Sequence, residues 1–281
     1  MSNIAITGSQ GFIGKHLFNY IEQKNHHTYG IDRRHRFKTC SREFYYGDLS
    51  KKEELPFLIK CFKNSKIDTV FHLAAESSVS DSFIDPLKFY HNNVTGTAQL
   101  LEACVASGVK KVIFSSSAAA FRCANPYGVT KKMGENLLDY YNKKHGIKTL
   151  SLRYHNVYGD NMDNGSVLNN FLKSKKNGEP LQVHGDGSQK RDFVFVDDIV
   201  RANYYAYEKL TNNGHHPPGY IELGSGAATS VLDIAKTISN NYVFTEDNPG
   251  QSEAVSNNIV AHNYLGWIPS GNVKEWLLNH N

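Results

Sequence analysis

The chain has 281 residues, 40% of them hydrophobic, and a formal net charge of +4. This length suits a large domain with a smaller second lobe, and the composition is ordinary for a globular protein. The charge is mild and no basic tract is interleaved with aromatic residues, so we expect no nucleic-acid partner.

The N-terminus enters a predicted strand directly, without the basic segment and apolar run of a secretion signal. No later segment is apolar for long enough to span a bilayer. The four cysteines are scattered, without the paired spacing of metal ligands. We therefore expect a reduced, cytoplasmic protein with no membrane partner and no metal site.

The first predicted strand, Asn3 to Thr7, runs into the glycines Gly8, Gly11 and Gly14, and an apolar helix follows. A strand, a glycine turn and a helix allow backbone N–H groups to face a pyrophosphate. The GxxGxxG spacing differs from the usual GxGxxG, so a turn without a ligand is the alternative interpretation.

A second predicted strand ends at Asp32, eighteen positions after Gly14. A carboxylate at this place accepts hydrogen bonds from an adenosine ribose, which favours NAD. Arg33 and Arg34 follow at once, and an arginine here can bind a 2′-phosphate. NADP therefore stays open as a cofactor.

Apolar strands alternate with helical patterns through about residue 150. The strands are predicted near 2–7, 28–31, 43–46, 68–73, 111–115 and 147–153, and the helices near 12–24, 51–63, 86–107 and 127–145. Such alternation predicts an α/β fold with a Rossmann-like, doubly wound parallel sheet. After Gly159 the pattern becomes irregular, as expected of a smaller C-terminal lobe.

A serine cluster, Ser115 to Ser117, precedes Tyr127 and Lys131. Four residues on a helix place the phenol and the ammonium on one face, where the charge favours the tyrosinate and lowers the tyrosine pKa. The tyrosine can then accept a hydroxyl proton. A helix surface with snorkelling lysines is the alternative.

These residues resemble the NAD-dependent epimerase/dehydratase group of the extended short-chain dehydrogenases/reductases, which acts on nucleotide sugars. Besides the glycine loop and Tyr-x-x-x-Lys, the matching segments are 47–49, 70–75, 93–97, 100–103, 152–159, 185–198 and 265–267. The resemblance implies a dinucleotide-binding Rossmann domain over 1–155, with a return segment near 193–223, and a discontinuous substrate-binding lobe over 156–281.

The resemblance also implies roles for individual residues. Tyr127 would take the proton of the sugar 4-hydroxyl, Lys131 would hold the cofactor ribose, and Ser117 would bind the same sugar oxygen. The implied cofactor-binding residues are Gly8, Gly11, Phe12, Ile13, Gly14, Asp32, Arg33, Asp48, Leu49, Leu73, Ala74, Ala75, Asn93, Ser115, Tyr127, Lys131 and Tyr154. The implied substrate-binding residues are Ser117, Asn156, His184 and Arg191.

Ala118 and Ala119 follow Ser117, where sugar 4,6-dehydratases of the family carry an Asp-Glu pair. Alanines move no protons, so the sequence favours a 4-epimerase, in which a transient 4-keto sugar turns over and takes hydride on its other face. The loop from Ala74 to Val79, with Glu76, instead resembles that of the dehydratases. A keto-sugar reductase needs the same serine, tyrosine and lysine, and a cofactor-binding protein without turnover is the alternative from another class.

The chain departs from the family at three places. Only nine residues separate Ser117 from Tyr127, a short loop that would leave the site more open. The segment 248–253 lacks the arginine with which relatives grip a phosphate, so Arg191 would carry more of the binding. His155 stands where Phe is usual, which we interpret as a packing substitution.

Finally, the resemblance implies a homodimer paired through helices near 86–107 and 127–145. Apolar residues that would face the partner, or pack on the sheet instead, are Leu87, Phe89, Tyr90, Leu100, Leu137, Leu138 and Tyr141.

Overall fold

The structure is a computed structural model, and it describes residues 1–34, 44–162, 165–212, 217–246 and 255–280. The chain divides into two compact units. The first consists of Met1–Arg153 and Val200–Ile221, and the second of Tyr154–Ile199 and Glu222–Asn281. Within the described ranges, no helix is both long and apolar enough to cross a membrane.

Short strands occur in both compact units. They are β1 (Asn3–Thr7), β2 (His27–Asp32), β3 (Phe44–Tyr46), β4 (Thr69–His72), β5 (Lys111–Ser117), β6 (Lys148–Tyr154), β7 (Asn156–Tyr158), β8 (Leu181–His184), β9 (Lys190–Phe195), β10 (Tyr220–Leu223), β11 (Ala228–Ser230) and β12 (Tyr242–Thr245).

The α-helices are α1 (Phe12–Gln23), α2 (Leu55–Asn64), α3 (Val79–Ile84), α4 (Pro86–Phe89), α5 (Gly96–Ser107), α6 (Ala119–Arg122), α7 (Pro126–His145), α8 (Val167–Lys176), α9 (Val196–Thr211), α10 (Val231–Ile238) and α11 (Val273–Asn279). A 3₁₀ turn (Lys52–Glu54) precedes α2, and π-helical segments occupy Tyr90–Thr95 and Ala261–Leu265.

Seven strands form the central sheet in the order β10-β6-β5-β4-β1-β2-β3. The pairs β1–β2, β1–β4, β2–β3 and β4–β5 are parallel. The predicted fold class, a Rossmann-like parallel sheet flanked by helices, is confirmed. The chain returns to this sheet at β10, which lies in the expected return segment near 193–223.

Strand residues alternate between the two faces of the sheet, as the pleat requires. Ala5, Val70, Val112 and Phe114 pack with buried residues of α2, α5 and α7. On β4, Phe71 instead contacts Tyr207 of α9. Both faces of the parallel sheet are thus covered, which is why its strands read as nearly continuous apolar runs.

The predicted helix near 86–107 is interrupted, because Tyr90–Thr95 forms a π-helical segment between α4 and α5. Local insertions of this kind are frequent at functional sites. Here the insertion carries Asn93, whose side chain is buried.

The second unit contains two small sheets, β11-β9-β7 and β12-β8. In the first, β7 and β9 are parallel and β9 and β11 antiparallel. A separate core closes this unit, built by residues of α8, α10, α11 and the strands between them.

Candidate cofactor and catalytic site

The glycine loop turns too tightly for side chains at two of its positions. Gly8 has a φ of 70°, and a Cβ there would lie 2.8 Å from the Ala74 nitrogen. A Cβ on Gly14 would lie 2.1 Å from the Gly8 carbonyl oxygen. The first turn of α1, Phe12 to Lys15, carries no acidic side chain, and Gly11 at its N-cap has none at all. The Lys15 N–H donates to the Gly11 carbonyl oxygen at 3.1 Å, and the N–H groups of Phe12 to Gly14 at the start of the helix can bind an anion such as a pyrophosphate.

Asp32 closes the loop from the neighbouring strand, and its side chain is 3% exposed. Oδ2 accepts a hydrogen bond from the Gln10 nitrogen at 2.9 Å. Oδ1 accepts from the Arg34 backbone nitrogen at 2.8 Å and from Arg34 Nε at 3.2 Å. A carboxylate has about four acceptor positions, so Asp32 keeps capacity for a ribose hydroxyl.

Arg33 forms an ion pair with Glu76, which sequence reasoning did not assign to the cofactor site. Glu76 also accepts from Asn92 Nδ2 at 3.2 Å and lies 3.5 Å from Lys88 Nζ. The hydrogen bond that Arg33 donates to the Glu76 carboxylate raises the pKa of Arg33. In the sheet, β1 lies between β2 and β4, so Arg33 and Glu76 follow the two strands that flank the strand leading into the glycine loop. The Glu76 carboxylate thus neutralises the positive charge of Arg33, which a 2′-phosphate would need as its partner.

Asp48 and Leu49 follow β3 and line a pocket with Ile31, Gly47 and Gln99. Burial raises the pKa of Asp48, but hydrogen bonds from the Ser50 hydroxyl and backbone N–H lower it by more, so the net shift is downward. The pocket lies on the Asp32 side of the sheet, where the resemblance implies the adenine.

The end of β4 is organised by buried polar groups. Ala74, which lies between Leu73 and Ala75 in the chain, donates its backbone N–H to Thr7 Oγ1 at 3.2 Å. Asn93 is 4% exposed; its Oδ1 accepts from the Glu76 nitrogen at 2.8 Å, and its Nδ2 donates to the Glu76 oxygen and to Thr130 Oγ1, each at 3.0 Å. The Asn93 amide thus holds the β4 loop and α7 together.

The proposed catalytic groups meet at the end of β5 and the start of α7. The Ser117 side chain interacts with the Tyr127 phenol and lowers the pKa of that phenol. Lys131 Nζ donates to the Ser115 carbonyl oxygen at 2.7 Å and lies 5.8 Å from the centroid of the Tyr127 ring. The structure therefore brings Ser115, Ser117, Tyr127 and Lys131 together, as the spacing predicts.

The prediction that Lys131 lowers the Tyr127 pKa is wrong, because the pKa of Tyr127 is raised above its ordinary value. Burial raises that pKa, and the Ser117 hydrogen bond offsets it only in part. Burial also lowers the pKa of Lys131 to about 7, with Glu135 opposing the shift. The lysine is thus only partly charged near neutral pH and exerts less pull on the phenol than an ordinary ammonium.

The short segment between Ser117 and Tyr127 is folded. Ala119–Arg122 forms α6, and Cys123 ends it with a φ of 50°. Asn125 caps α7 by accepting from the Gly128 nitrogen at 2.8 Å. A Cβ on Gly128 would lie 2.5 Å from the Ala119 carbonyl oxygen, so α6 packs closely on the first turn of α7.

Asn156 and Arg191, both in the second unit, lie on the neighbouring strands β7 and β9. Asn156 is exposed, and its Nδ2 donates to the Asp192 carbonyl oxygen at 3.1 Å. Arg191 is 8% exposed and donates from Nη1 to the Lys190 carbonyl oxygen at 2.8 Å. His184 belongs to the other small sheet, where its Nδ1 contacts Thr245 Oγ1 at 2.9 Å.

Two further residues of interest lie near the start of this unit. Tyr154 ends β6 and is 6% exposed. His155 is 8% exposed and donates its backbone N–H to the Leu223 oxygen at 3.0 Å, in keeping with a packing substitution. The segment 248–253, with its missing arginine, lies outside the described residues.

Asp192 was not selected from the sequence. Its carboxylate accepts hydrogen bonds from the nitrogen and hydroxyl of Ser225, from the Gly226 nitrogen, and from the nitrogen and hydroxyl of Ser256, at 2.6 to 3.1 Å. Burial raises its pKa, but these bonds lower it further. Asp192 thus anchors the strand that carries Arg191. Among the residues the structure describes, no group of three or more His, Cys, Asp or Glu side chains could hold a metal ion.

Comparisons with known proteins agree with this geometry. The model of the NAD dependent epimerase/dehydratase family matches residues 4–220. A UDP-glucose 4-epimerase of Lactobacillus helveticus is 30% identical over 308 residues, covering 95% of this chain and 92% of the relative. A dTDP-D-glucose 4,6-dehydratase of Dictyostelium discoideum is 29% identical, covering 85% of this chain but 62% of the relative.

Among solved structures, the UDP-glucuronic acid 4-epimerase of Bacillus cereus in complex with UDP-glucuronic acid and NAD has a TM-score of 0.85 and 28% identity, covering 98% of this chain and 96% of that one. NAD is the cofactor of the family, and the glycine loop, the α1 N-terminus and Asp32 fit it here. The chain therefore belongs to the NAD dependent epimerase/dehydratase family.

Proposed function

We propose that the protein is a nucleotide-sugar 4-epimerase with Tyr127 as its base. The observation that carries this proposal is the grouping of Ser117, Tyr127 and Lys131, with Lys131 Nζ held by the Ser115 carbonyl oxygen near the Tyr127 ring. In place of a second acid and base, Ala118 and Ala119 follow the serine. Such a site can move one proton at a carbinol and lacks the groups for removing water.

Each residue has a defined task in this proposal. Tyr127 accepts the proton of the sugar 4-hydroxyl and returns it after the 4-keto sugar has rotated in the site. Ser117 binds the same oxygen, and Lys131 holds the cofactor ribose. Bound NAD supplies reversible hydride transfer. The proposal assigns Asn156 and Arg191 to the nucleotide diphosphate, His184 to the base and Tyr154 to the cofactor.

The dehydratase alternative rests on the loop that contains Glu76. Both oxygens of this carboxylate are engaged, by Arg33 and Asn92 on one side and by Lys88 on the other. These contacts tie the carboxylate to the neighbouring side chains of Arg33, Asn92 and Lys88. The contacts therefore argue against Glu76 as the acid of a dehydration, while a keto-sugar reductase remains the second candidate.

The proposal includes a homodimer and two lobes with the predicted boundaries; cytoplasmic location stays a prediction. Several residues expected at the dimer contact pack inside the protomer instead, namely Phe89, Leu100, Leu138 and Tyr141. Leu87, Met133 and Tyr140 are exposed on the same helices. We therefore assign the dimer contact to these exposed residues.

Product analysis tests the reaction directly. The purified protein is incubated with NAD and a panel of UDP-, dTDP- and GDP-sugars, and the products are resolved by chromatography, mass spectrometry and NMR. An isomer of unchanged mass without net NADH supports the epimerase. Loss of water contradicts it in favour of a dehydratase, and no conversion despite measurable NAD binding contradicts it in favour of a reductase or a non-catalytic binder.

The Tyr127→Phe variant tests the assigned base. We expect turnover to be lost while NAD still binds, because the substitution removes only the hydroxyl. Tyr140→Phe is the matched control, since Tyr140 lies on the same helix and is 56% exposed. Unchanged turnover in Tyr127→Phe would remove Tyr127 from its role.

A further inference from the structure

A buried carboxylate lies on α7 one turn beyond Lys131. Glu135 has a side chain that is 5% exposed. Tyr127, Lys131 and Glu135 follow one another at intervals of four residues, so they share one face of the helix. The proposed mechanism leaves this acid without a task.

Glu135 receives four hydrogen bonds. Oε1 accepts from Ser116 Oγ and from Arg153 Nε, each at 2.7 Å. Oε2 accepts from Arg153 Nη2 at 2.7 Å and from Lys132 Nζ at 3.1 Å. Burial raises the pKa of Glu135, but these hydrogen bonds lower it by more than burial raises it. The net shift is downward, so the group is an anion at neutral pH.

These contacts join three strands to the catalytic helix. Ser116 lies on β5, and Arg153 lies on β6, with its guanidinium 3.5 Å from the centroid of the Tyr220 ring on β10. Arg153 is 3% exposed, so the ion pair is fully desolvated. Separating such a pair leaves a buried charge without a partner, which is strongly destabilising, so the two side chains are held together.

Ser116 sits between the two serines that contact the catalytic groups. The carbonyl oxygen of Ser115 accepts a hydrogen bond from Lys131 Nζ, and the side chain of Ser117 interacts with the Tyr127 phenol. By holding Ser116, Glu135 fixes the strand segment to which both Lys131 and Tyr127 are attached. It thereby acts on both groups without touching the reacting atoms.

Glu135 also acts on Lys131 through its charge. Tyr127 faces the lysine from the same helix, His72 from β4, and the ring of Phe114 and the Ser115 carbonyl from β5. Burial keeps Tyr127 and His72 neutral at pH 7. Burial lowers the pKa of Lys131 to about 7, and the attraction of Glu135 opposes this fall.

We propose that Glu135 is a positioning residue of this site: its carboxylate holds the serine segment against α7 and keeps the Lys131 amine charged. The catalytic meaning of this coupling rests on the proposed function. The coupling itself does not, because the charge of Lys131 can be followed without turnover.

The test follows the Lys131 amine by ¹³C NMR in protein labelled at lysine Cε. The signal that is absent from Lys131→Met belongs to Lys131, and it should titrate near pH 7. In Glu135→Gln we expect its midpoint to fall by about one pH unit, because the opposing anion is gone. An unchanged midpoint in folded Glu135→Gln overturns the proposal, whether or not the protein proves to be an epimerase.

Asp139→Asn is the matched control, since Asp139 lies one further turn along α7 and is 60% exposed. It removes the same charge from the same helix and should leave the Lys131 midpoint unchanged. A fall as large as that in Glu135→Gln would show that any acid on α7 suffices, and would overturn the specific role.

If Glu135→Gln fails to fold, Glu135→Asp is the second variant. It keeps the anion but shortens the side chain by one methylene, so the charge lies farther from Lys131 and the midpoint should fall by less than about one pH unit. An unchanged midpoint would contradict the proposal. In active protein, kcat for Glu135→Gln should fall more than KM rises, and the alkaline limb of the pH profile should move to lower pH.

Discussion

At the scale of single residues, the hydrogen bonds around His72 determine where its proton lies. Thr97 Oγ1 donates to the Asn93 carbonyl oxygen at 2.5 Å, so it accepts from His72 Nε2 at 2.8 Å. His72 Nδ1 then accepts from Thr7 Oγ1 at 2.8 Å, and Thr7 in turn accepts from the Ala74 nitrogen. His72 is therefore neutral and carries its proton on Nε2. The same chain connects the glycine strand to Asn93.

This arrangement predicts a loss of stability in acid. Burial lowers the pKa of His72 to about 3, so the native state stays neutral at a pH where the unfolded chain is protonated. The contribution is fully present above about pH 6.5 and is lost as the pH falls towards 3. Between pH 7 and pH 5 the cost is about 2 kcal/mol.

Urea unfolding of wild type and His72→Gln at both pH values measures this loss. The variant is expected to be less stable at pH 7, yet to lose about 2 kcal/mol less between the two pH values. Equal losses in both proteins would show that His72 does not titrate as a buried neutral group.

Glu76 offers a second prediction at this scale, concerning the choice of cofactor. In Glu76→Gln, Arg33 loses its paired anion and becomes available to a 2′-phosphate. Because the pair is partly exposed, we expect only a roughly two- to fivefold rise in the affinity for NADP relative to NAD. Calorimetric titration of both cofactors measures the ratio. Glu53→Gln, an exposed acid of the same unit, should leave it unchanged.

At the scale of elements, the glycine loop predicts a loss of cofactor binding on a minimal change. In Gly14→Ala the new Cβ would lie 2.1 Å from the Gly8 oxygen, so the loop must open. We expect the affinity for NAD to fall at least about tenfold, or about 1.4 kcal/mol. Gly219→Ala is the control, because a Cβ there meets nothing within 4 Å. Retained NAD affinity in Gly14→Ala would contradict the assignment of this loop.

The sequence predicted these elements well where local pattern decides them. The sheet strands near 2–7, 28–31 and 111–115 were found because buried parallel strands are apolar throughout. The break in the helix near 86–107 was missed, since it follows from bonds of Asn93 to Glu76 and Thr130, which are distant in sequence. The direction of the Tyr127 pKa was missed for a similar reason, because burial is a tertiary property.

At the scale of the whole molecule, the second unit was the least predictable part. Its two small sheets join strands of three to six residues, whose partners are far apart in the chain. Asp192 organises one of them through Ser225 and Ser256, and no motif around these serines signals that role. Such contacts become visible only when the chain is folded.

Arg191 tests the substrate role of this unit. Because it is 8% exposed on the strand that Asp192 anchors, we expect Arg191→Ala to raise the apparent KM for a nucleotide sugar at least several-fold while NAD affinity is retained. Steady-state kinetics and NAD titration measure the two effects. Arg201→Ala, on α9, is the control. An unchanged KM in Arg191→Ala would take this residue out of the substrate site.

Assembly gives the last prediction. Leu87 is 76% exposed and Tyr140 56% exposed, on α4 and α7. Exposed apolar residues on neighbouring helices mark an association surface when they form a patch. If they pair two protomers, Leu87→Glu should place a charge in that contact and convert a dimer to a monomer, as measured by light scattering after gel filtration. Leu278→Glu is the matched control, because Leu278 is 67% exposed on α11 and lies outside the proposed contact. A monomeric wild-type protein, or a dimer that survives Leu87→Glu, would move the association surface elsewhere or remove it.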